Sequence, residues 1–270
     1  MSLARPTDVF SGTTVVFAPH MDDCVLGCGG TLARLADRSA VHMVYVTDGR
    51  RAPAPELPWC DRVSADLAEI RASEAGLAMA FLGLPSGNVH FLGLPDGRLR
   101  GCMPRLRRAM TAVVEELRPE VVIAPFRFDR HPDHLAVHEV AASLPVPRNF
   151  EYFVYYRWRL LPGGDLRRYL SPEDVLNVEI EEVAETKRAA LALFRSQTTR
   201  LYAWQSRPVL SPALLDEFSR GPETFLRWEP GRRGAAVFTG TRTWIRIAHW
   251  LEPLLKERKD RALALWRRSG

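Results

Sequence analysis

Residues 15–24 read VVFAPHMDDC, a short apolar run that leads directly into a histidine and two adjacent aspartates. The β-branched and aromatic residues of the run are typical of a buried strand, and we predict a strand over 13–18. His20, Asp22 and Asp23 therefore lie where this strand ends. They could close a polar turn or form half of a catalytic site, and this stretch alone does not decide between the two interpretations.

Strand-like segments alternate with helix-like ones along the rest of the chain. We predict further strands over 41–47, 88–92, 121–124, 150–156 and 175–180. We predict helices over 31–36, 62–80, 106–117, 133–143 and 182–195. This alternation predicts an α/β fold with a mostly parallel sheet and helices on both faces. Ligands of such sheets bind at the carboxyl ends of the strands, which is where His20 is expected.

Three glycines, Gly27, Gly29 and Gly30, follow the acidic pair. Their order differs from the G-x-G-x-x-G pattern of dinucleotide-binding turns. Two preceding carboxylates would also repel a pyrophosphate. The sequence therefore disfavours a nucleotide site.

The last quarter of the chain is rich in tryptophan and has a different character. Its tryptophans are Trp204, Trp228, Trp244, Trp250 and Trp266. Residues 241–255 and 256–266 have helical spacing. We predict a main domain over 1–202 and a helical, tryptophan-rich appendage over 203–270 that packs on it as a cap. The alternative is a lid over the site, or a patch that contacts an apolar substrate or a membrane surface.

Charge and cysteine content limit the classes of partner. The net charge of +5 arises from 37 basic and 32 acidic residues, and a basic surface could favour an anionic substrate, a membrane surface or nucleic acid. No nucleic-acid-binding motif accompanies the arginines, so we expect a solvated face and no nucleic-acid partner. The cysteines match neither a zinc ribbon nor a disulfide scaffold, and we interpret them as small buried residues of a reducing compartment. They are Cys24, Cys28, Cys60 and Cys102.

The beginning of the chain lacks the apolar segment of a signal peptide, so we expect a cytoplasmic location. No apolar run is long enough to cross a bilayer, and we expect no transmembrane segment.

A second cluster of histidine and aspartate follows another predicted strand, 121–124. His131, Asp133 and His134 come after a short loop, so they lie on the same edge of the sheet as the opening stretch. His138 follows His134 by four residues, and both could share one face of a helix.

The two clusters together fit the needs of metal-dependent hydrolysis. A catalytic zinc site has three protein ligands and a position for water, with a base nearby. His20, Asp23 and His134 can supply the ligands, and Asp22 can take the proton of the water. A protonated His131 could stabilise an oxyanion or protonate a leaving amine, and Asp133 could orient a histidine.

Helix capping is the alternative role for these aspartates. Either cluster alone would leave capping about as plausible as metal binding. Two His/Asp clusters at two strand ends of one sheet are harder to explain as caps, and we favour the metal site.

The order of these motifs resembles the PIG-L/LmbE-like zinc de-N-acetylases. The resemblance rests on His20-x-Asp22-Asp23 with the glycine cluster, Thr47-Asp48-Gly49, Arg71-x-x-Glu74 and His131-Pro-Asp-His134, and it covers roughly residues 12–200. It implies a Rossmann-like sheet and removal of acetyl groups from N-acetylglucosamine units of conjugates. Glycolipids, thiol precursors and glycopeptide antibiotics are among those conjugates.

The resemblance also implies roles for single residues. The metal ligands fall on His20, Asp23 and His134, the general base on Asp22, and the oxyanion or acid histidine on His131. Arg71 matches a substrate-binding arginine, and Asp96 matches an aspartate that holds sugar hydroxyls. Residues 187–197 resemble a further family element. Met21 and Cys24 stand where the family usually has Pro and Glu, and neither is an expected ligand.

These observations predict a hydrolase that uses Zn²⁺, or another divalent metal, to remove an acyl group from a glucosaminyl conjugate. The basic surplus, the aromatic tail and the proline-containing loop 50–59 favour a large amphipathic acceptor such as a glycopeptide antibiotic precursor. A small thiol-precursor glycoside or a glycolipid is the alternative substrate. A non-catalytic sugar-binding module, with His138 closing a structural metal site, is an alternative of another class. The acceptor, the acyl length, the native metal and the oligomeric state stay open.

Overall fold

The structure is a computed structural model, and it describes residues 3–36, 40–53, 65–157, 161, 163–228 and 251. The strands are β1 Thr14–Ala18, β2 Val41–Thr47, β3 Val89–Leu94, β4 Val121–Pro125, β5 Arg148–Tyr152, β6 Val175–Val178 and β7 Glu223–Trp228. The helices are α1 Pro6–Val9, α2 Asp23–Leu35, α3 Ala65–Phe81, α4 Met103–Leu117, α5 Pro132–Ala141, α6 Ala184–Ala192, α7 Arg195–Thr198 and α8 Pro212–Ser219.

These strands form one mixed sheet in the order β3-β2-β1-β4-β5-β7-β6. Strands β1 to β5 pair in parallel, and β7 pairs antiparallel with both β5 and β6. The chain leaves β1 toward β2 on one side and returns to β4 on the other. This reversal of strand order brings the loops after β1 and β4 together at one edge of the sheet. The predicted α/β fold is confirmed.

Helices cover both faces of the sheet because the strand side chains alternate between two cores. Val16 and Ala18 of β1 pack in a core with apolar residues of α2, α3 and α6. Val15 and Phe17 pack in a second core with residues of α4 and α5. No helix of the described residues is long and apolar enough to span a membrane.

Helix α2 begins at Asp23, eight residues before the predicted helix, and contains the glycine cluster. A β-carbon at Gly27 would overlap the Tyr152 ring, and one at Gly30 would lie 2.7 Å from Ile180. The glycines therefore let α2 pack closely on its neighbours. Glycine is a weak helix former, which is why the sequence pattern missed this part of the helix.

Strand β7 lies in the part of the chain that the predicted boundary at residue 202 assigns to the appendage. In the structure it belongs to the sheet, because Phe225 and Leu226 are fully buried in two different apolar clusters. Residues 229–250 and 252–270, which hold the predicted cap helices, lie outside the described residues. The division of the chain into two units stays a prediction.

Candidate active site

The two predicted clusters meet at the edge of the sheet where β1 and β4 end. The first follows β1 and leads into α2, so that Asp22 and Asp23 begin that helix. The second follows β4 and leads into α5, with His131 at its N-cap position. His20, Asp22, Asp23, Asp133 and His134 are all buried.

Three polar atoms converge at the centre of the site. His20 Nδ1 lies 2.9 Å from Asp23 Oδ2, and His134 Nε2 lies 3.0 Å from the same oxygen. The two histidine nitrogens are 3.4 Å apart. Metal–ligand distances of about 2.0–2.2 Å place neighbouring ligand atoms of a tetrahedral site about 3.3–3.6 Å apart. The three atoms therefore form one face on which a divalent metal fits after a slight outward movement.

The second nitrogen of each histidine is held by a carboxylate. His134 Nδ1 lies 3.1 Å from Asp129 Oδ2. His20 Nε2 lies 3.2 Å from Asp96 Oδ1 and 3.5 Å from Asp133 Oδ2. Histidine ligands of metals characteristically donate their second N–H to such a carboxylate, which fixes the ring and raises its basicity. This arrangement favours His20 Nδ1 and His134 Nε2 as the nitrogens that would face a metal.

Asp129 is a site residue that the sequence reasoning missed. It is 1% exposed and also accepts hydrogen bonds from the backbone N–H groups of His131 and Tyr155. It therefore orients His134 and fixes the loop after β4 at once. In the sequence, only its position in the loop after β4, five residues before His134, could have indicated a role in the site.

The buried carboxylates around the three converging atoms favour positive charge in the site. Burial alone would raise the pKa of Asp23, but the charges of His134 and His20 outweigh it and hold that pKa well below its usual range. Burial alone would lower the pKa of His134, but Asp23 and Asp129 raise it to about 9. Protons on the histidines balance the carboxylates here, and a divalent cation can take over that role.

Asp22 occupies a different environment from its neighbour Asp23. Its Oδ1 accepts a hydrogen bond of 2.8 Å from Arg71 Nη2, and Arg71 also donates to the Gly49 carbonyl. Burial raises the pKa of Asp22, and the Arg71 guanidinium only partly offsets this. Asp22 is therefore a stronger proton acceptor than an exposed aspartate, and Arg71 holds it in one orientation.

The surroundings of His131 favour the neutral form of its ring. Burial, and then the charges of His20 and His134, lower the pKa of His131 to about 4. Its Nδ1 accepts a hydrogen bond from the Asp133 backbone N–H, so the hydrogen of the neutral ring is on Nε2. This geometry favours a neutral His131 that donates from Nε2, and its role as an oxyanion donor or as an acid stays a prediction.

A cavity of about 370 Å³ opens beside these residues. Its polar end includes His20, Asp22, Asp23, Arg71, Asp96 and His131. Arg157 and Glu217 also border it, together with six apolar residues, Leu26, Val154, Val209, Leu210, Leu214 and Phe218. We refer to these six residues as the apolar wall.

The two predicted substrate residues lie at the polar end and also contact the protein. Arg71 is 1% exposed and spans Asp22 and Gly49. Asp96 Oδ2 accepts a hydrogen bond from the Arg51 backbone N–H. Burial alone would raise the pKa of Asp96, but its contact with His20 helps to lower it to about 2. Both side chains border the cavity, so contact with a substrate stays a prediction.

His138 lies apart from the converging atoms. Its Nδ1 is 3.9 Å from Glu151 Oε1, and it belongs to neither cluster of candidate metal ligands in the described part of the chain. One such cluster brings His131 together with His20 and His134, and the other joins His20 to Asp96 and Asp133. The geometry thus gives no support to a metal site closed by His138.

Cys24 stands where the family usually has a glutamate, and it is not one of the proposed metal ligands. Its Sγ lies 3.3 Å from the Tyr45 hydroxyl, and burial raises the pKa of the thiol to about 12. Cys24 and Cys28 are buried and reduced, and Cys102 is partly exposed. Cys60 and residues 54–59 of the predicted covering loop lie outside the described residues.

The chain matches the model of the PIG-L family, described as GlcNAc-PI de-N-acetylase, over residues 15–144. A diacetylchitobiose deacetylase from Thermococcus kodakarensis is 30% identical, over 66% of this chain and 67% of the relative. A 1D-myo-inositol 2-acetamido-2-deoxy-alpha-D-glucopyranoside deacetylase from Rhodococcus jostii is 28% identical, over 67% of this chain and 80% of the relative.

The fold is shared with solved structures of this group. The N,N'-diacetylchitobiose deacetylase from Pyrococcus horikoshii superimposes with a TM-score of 0.61 over 88% of this chain and 91% of the other, at 21% identity. Sequence similarity and fold thus agree with the two motif clusters at the sheet edge. The chain belongs to the PIG-L family of de-N-acetylases, and it is an amide hydrolase of that kind.

Proposed function

We propose that this protein is a zinc-dependent hydrolase that removes the N-acetyl group from a glucosamine unit of a larger conjugate. The convergence of His20 Nδ1, Asp23 Oδ2 and His134 Nε2 within 3.4 Å carries the proposal. The names of the relatives support N-acetylglucosamine as the sugar.

The metal would be held by these three atoms, with Asp129, Asp96 and Asp133 fixing the two histidine rings. When bound there, zinc would polarise the acyl carbonyl and lower the pKa of the attacking water. Nitrogen and carboxylate donors suit zinc, and the same set accepts other divalent ions.

Asp22 acts as the general base in this proposal. Its elevated pKa gives it the proton affinity to take a hydrogen from the attacking water. Arg71 holds one carboxylate oxygen, so the other can point toward the reacting atoms. The proton then passes to the amine as the carbon–nitrogen bond breaks, and the products are a free amine and acetate.

His131 is proposed to stabilise the developing oxyanion. Its neutral ring has an Nε2–H available for donation because Nδ1 accepts from the Asp133 backbone. The ring stacks on Tyr155 with centroids 6.2 Å apart, which restricts its orientation. A preorganised donor of this kind stabilises the transition state without reorganisation during the reaction.

The apolar wall supports a large amphipathic acceptor. Val209 and Tyr155 border the cavity and are 45% and 41% exposed, so the apolar surface continues to the mouth of the cavity. A conjugate with an aromatic or lipid portion would bury this surface. We therefore propose a glycopeptide antibiotic precursor as the substrate, and a small thiol-precursor glycoside or a glycolipid as the alternative.

Metal analysis combined with a mass-spectrometric screen tests the proposal. We expect about one equivalent of zinc per chain and loss of an acetyl group from at least one N-acetylglucosaminyl conjugate. We also expect a glycopeptide carrying the sugar to react faster than a small glycoside. Turnover of small glycosides only would reject the antibiotic precursor and retain the deacetylase, whereas the absence of any deacetylation would contradict the function.

A further inference from the structure

Gln197 is a buried polar side chain in the wall of the cavity that the proposed mechanism does not use. It is 0% exposed and follows Ser196 in the short helix α7. Its backbone carbonyl accepts a hydrogen bond from the Leu210 backbone N–H, at the start of the apolar wall. Gln197 therefore lies next to Leu210 of the apolar wall and borders the same cavity as the proposed site.

The surrounding hydrogen bonds fix the orientation of the Gln197 amide. Its Nε2 donates to the Ala52 carbonyl at 2.8 Å and to Ser196 Oγ at 2.9 Å. Ser196 uses its own hydroxyl hydrogen on Glu74 Oε2, at 2.6 Å, so its oxygen can only accept from Gln197. A flipped amide would place Oε1 against the Ala52 carbonyl, and two acceptors would then face each other.

This orientation leaves Gln197 Oε1 without a hydrogen-bond donor among the described residues. A buried acceptor without a partner is costly, and native proteins retain few of them. Because the residue borders the cavity, a molecule bound in the cavity can supply the missing donor. The amide is thus held ready for a ligand by the chain Glu74–Ser196–Gln197.

We infer that Gln197 Oε1 is a recognition site for a hydroxyl group of the substrate's sugar unit. The inference rests on the proposed function, since the hydroxyl belongs to the glucosaminyl substrate. Arg51 and Arg71 border the same cavity, and hydroxyl groups are the hydrogen-bond donors that a sugar unit presents in greatest number. A hydroxyl satisfies both neighbours, because it donates to Oε1 and can accept from a guanidinium.

The test compares wild-type and Gln197→Met enzymes on octyl N-acetylglucosaminide and its 3-, 4- and 6-deoxy derivatives. Methionine keeps the volume of the side chain and removes the acceptor. We expect KM for the parent glycoside to rise about threefold to tenfold while kcat stays within about twofold. For one deoxy derivative the two enzymes should have the same KM, because the lost hydroxyl and the lost acceptor belong to one interaction.

Gln205→Met is the matched control. Gln205 is also buried, but its Oε1 already accepts from the Tyr202 backbone N–H, so its loss should leave KM unchanged. If Gln197→Met does not fold, Gln197→Asn takes its place, because the shorter side chain draws the acceptor back from the cavity. A KM equal to that of the wild type on one deoxy derivative only supports the inference, and a KM equal to that of the wild type on the parent glycoside overturns it.

The inference and the proposed function fail in different ways. Normal wild-type turnover with an unchanged KM in Gln197→Met, or an equal rise on all four substrates, would overturn the inference alone. Failure of wild-type enzyme to deacetylate octyl N-acetylglucosaminide and every other N-acetylglucosaminyl conjugate would contradict the proposed function and the inference with it.

Discussion

Two clusters of buried charge contact helix α2, one at its first residues and one at its kink near Cys28. At the kink, Glu223 accepts from the backbone N–H groups of Gly30 and Thr31 and from Lys187 Nζ. Lys187 also donates to the Leu26 carbonyl. Both carboxylate oxygens of Glu223 and two of the three N–H groups of Lys187 are thus used within the protein.

The cluster at the start of α2 has the opposite character. His20, Asp23 and His134 point their polar atoms at one another, and His20 and Asp23 border the cavity. The comparison teaches that burial of charge does not by itself mark a functional site. A satisfied pair stabilises the fold, whereas converging donors whose outer atoms are held by carboxylates are prepared for a ligand.

The largest effect is expected from Asp23→Ala. The variant removes one proposed ligand, so bound zinc should fall to background and deacetylation should fall by about three orders of magnitude or more. Cys24→Ala is the neighbouring control, and it should keep its metal because the buried thiol is not a ligand. Full zinc content in Asp23→Ala would show that the metal binds elsewhere.

Lys187→Met should act on stability and leave chemistry intact. Removing the lysine strands Glu223 in the core, so the free energy of unfolding should fall by about 3–5 kcal/mol. Chemical denaturation measures this, and kcat of the folded variant should be close to wild type. Arg188→Met is the exposed control and should change stability by about 0.5 kcal/mol at most. A loss of kcat in Lys187→Met without a loss of stability would show that the Lys187–Glu223 pair has a catalytic role, which contradicts its assignment as structural.

Asp129→Asn tests whether the outer carboxylates prepare the metal site. The variant weakens the partner of His134 Nδ1, so zinc affinity should fall about 10-fold to 100-fold. Competition with a chelator measures the affinity. Asp165→Asn serves as the control because Asp165 is buried but pairs with Arg167. Equal zinc affinities in the wild type, Asp129→Asn and Asp165→Asn would show that Asp129 does not support metal binding.

Arg71→Met leaves the buried Asp22 without its ion pair, so stability and kcat should fall, and the smallest of its effects is a shift of the pH profile. The Arg71 charge lowers the pKa of Asp22, so its removal lets that pKa rise further. The base is then protonated at higher pH, and the acidic limb of kcat/KM should move upward by about one pH unit. Arg50→Met, which removes a more exposed guanidinium paired with Asp48, should leave the limb in place. A shift to lower pH would contradict the role given to Arg71.

Much of the fold could be predicted because its strands are short β-branched runs followed by turn residues. The predicted strand over 41–47 coincides with β2, and the end of β1 places His20 at the correct edge of the sheet. Strand β7 was not predicted, because it is defined by pairing with β5 and β6, which are distant in sequence. The start of α2 was not predicted because its glycines serve close packing against Tyr152 and Ile180, and these contacts exist only in the folded chain.

The residues of the site also divide into those that the sequence predicts and those that only the folded structure shows. Its histidines and aspartates stand at strand ends, where the sequence alone gives their position. The neutral state of His131 depends on the charges of His20 and His134, and no local pattern reports it. Asp129 and Gln197 gain their importance from hydrogen bonds that only the folded chain brings together.

Asp22→Asn tests the central claim most directly, because it changes the proposed base and no proposed ligand. We predict zinc content near that of the wild type and a fall of kcat by about two to four orders of magnitude, measured on the same N-acetylglucosaminyl conjugate. Full activity in a zinc-loaded Asp22→Asn protein would contradict the account.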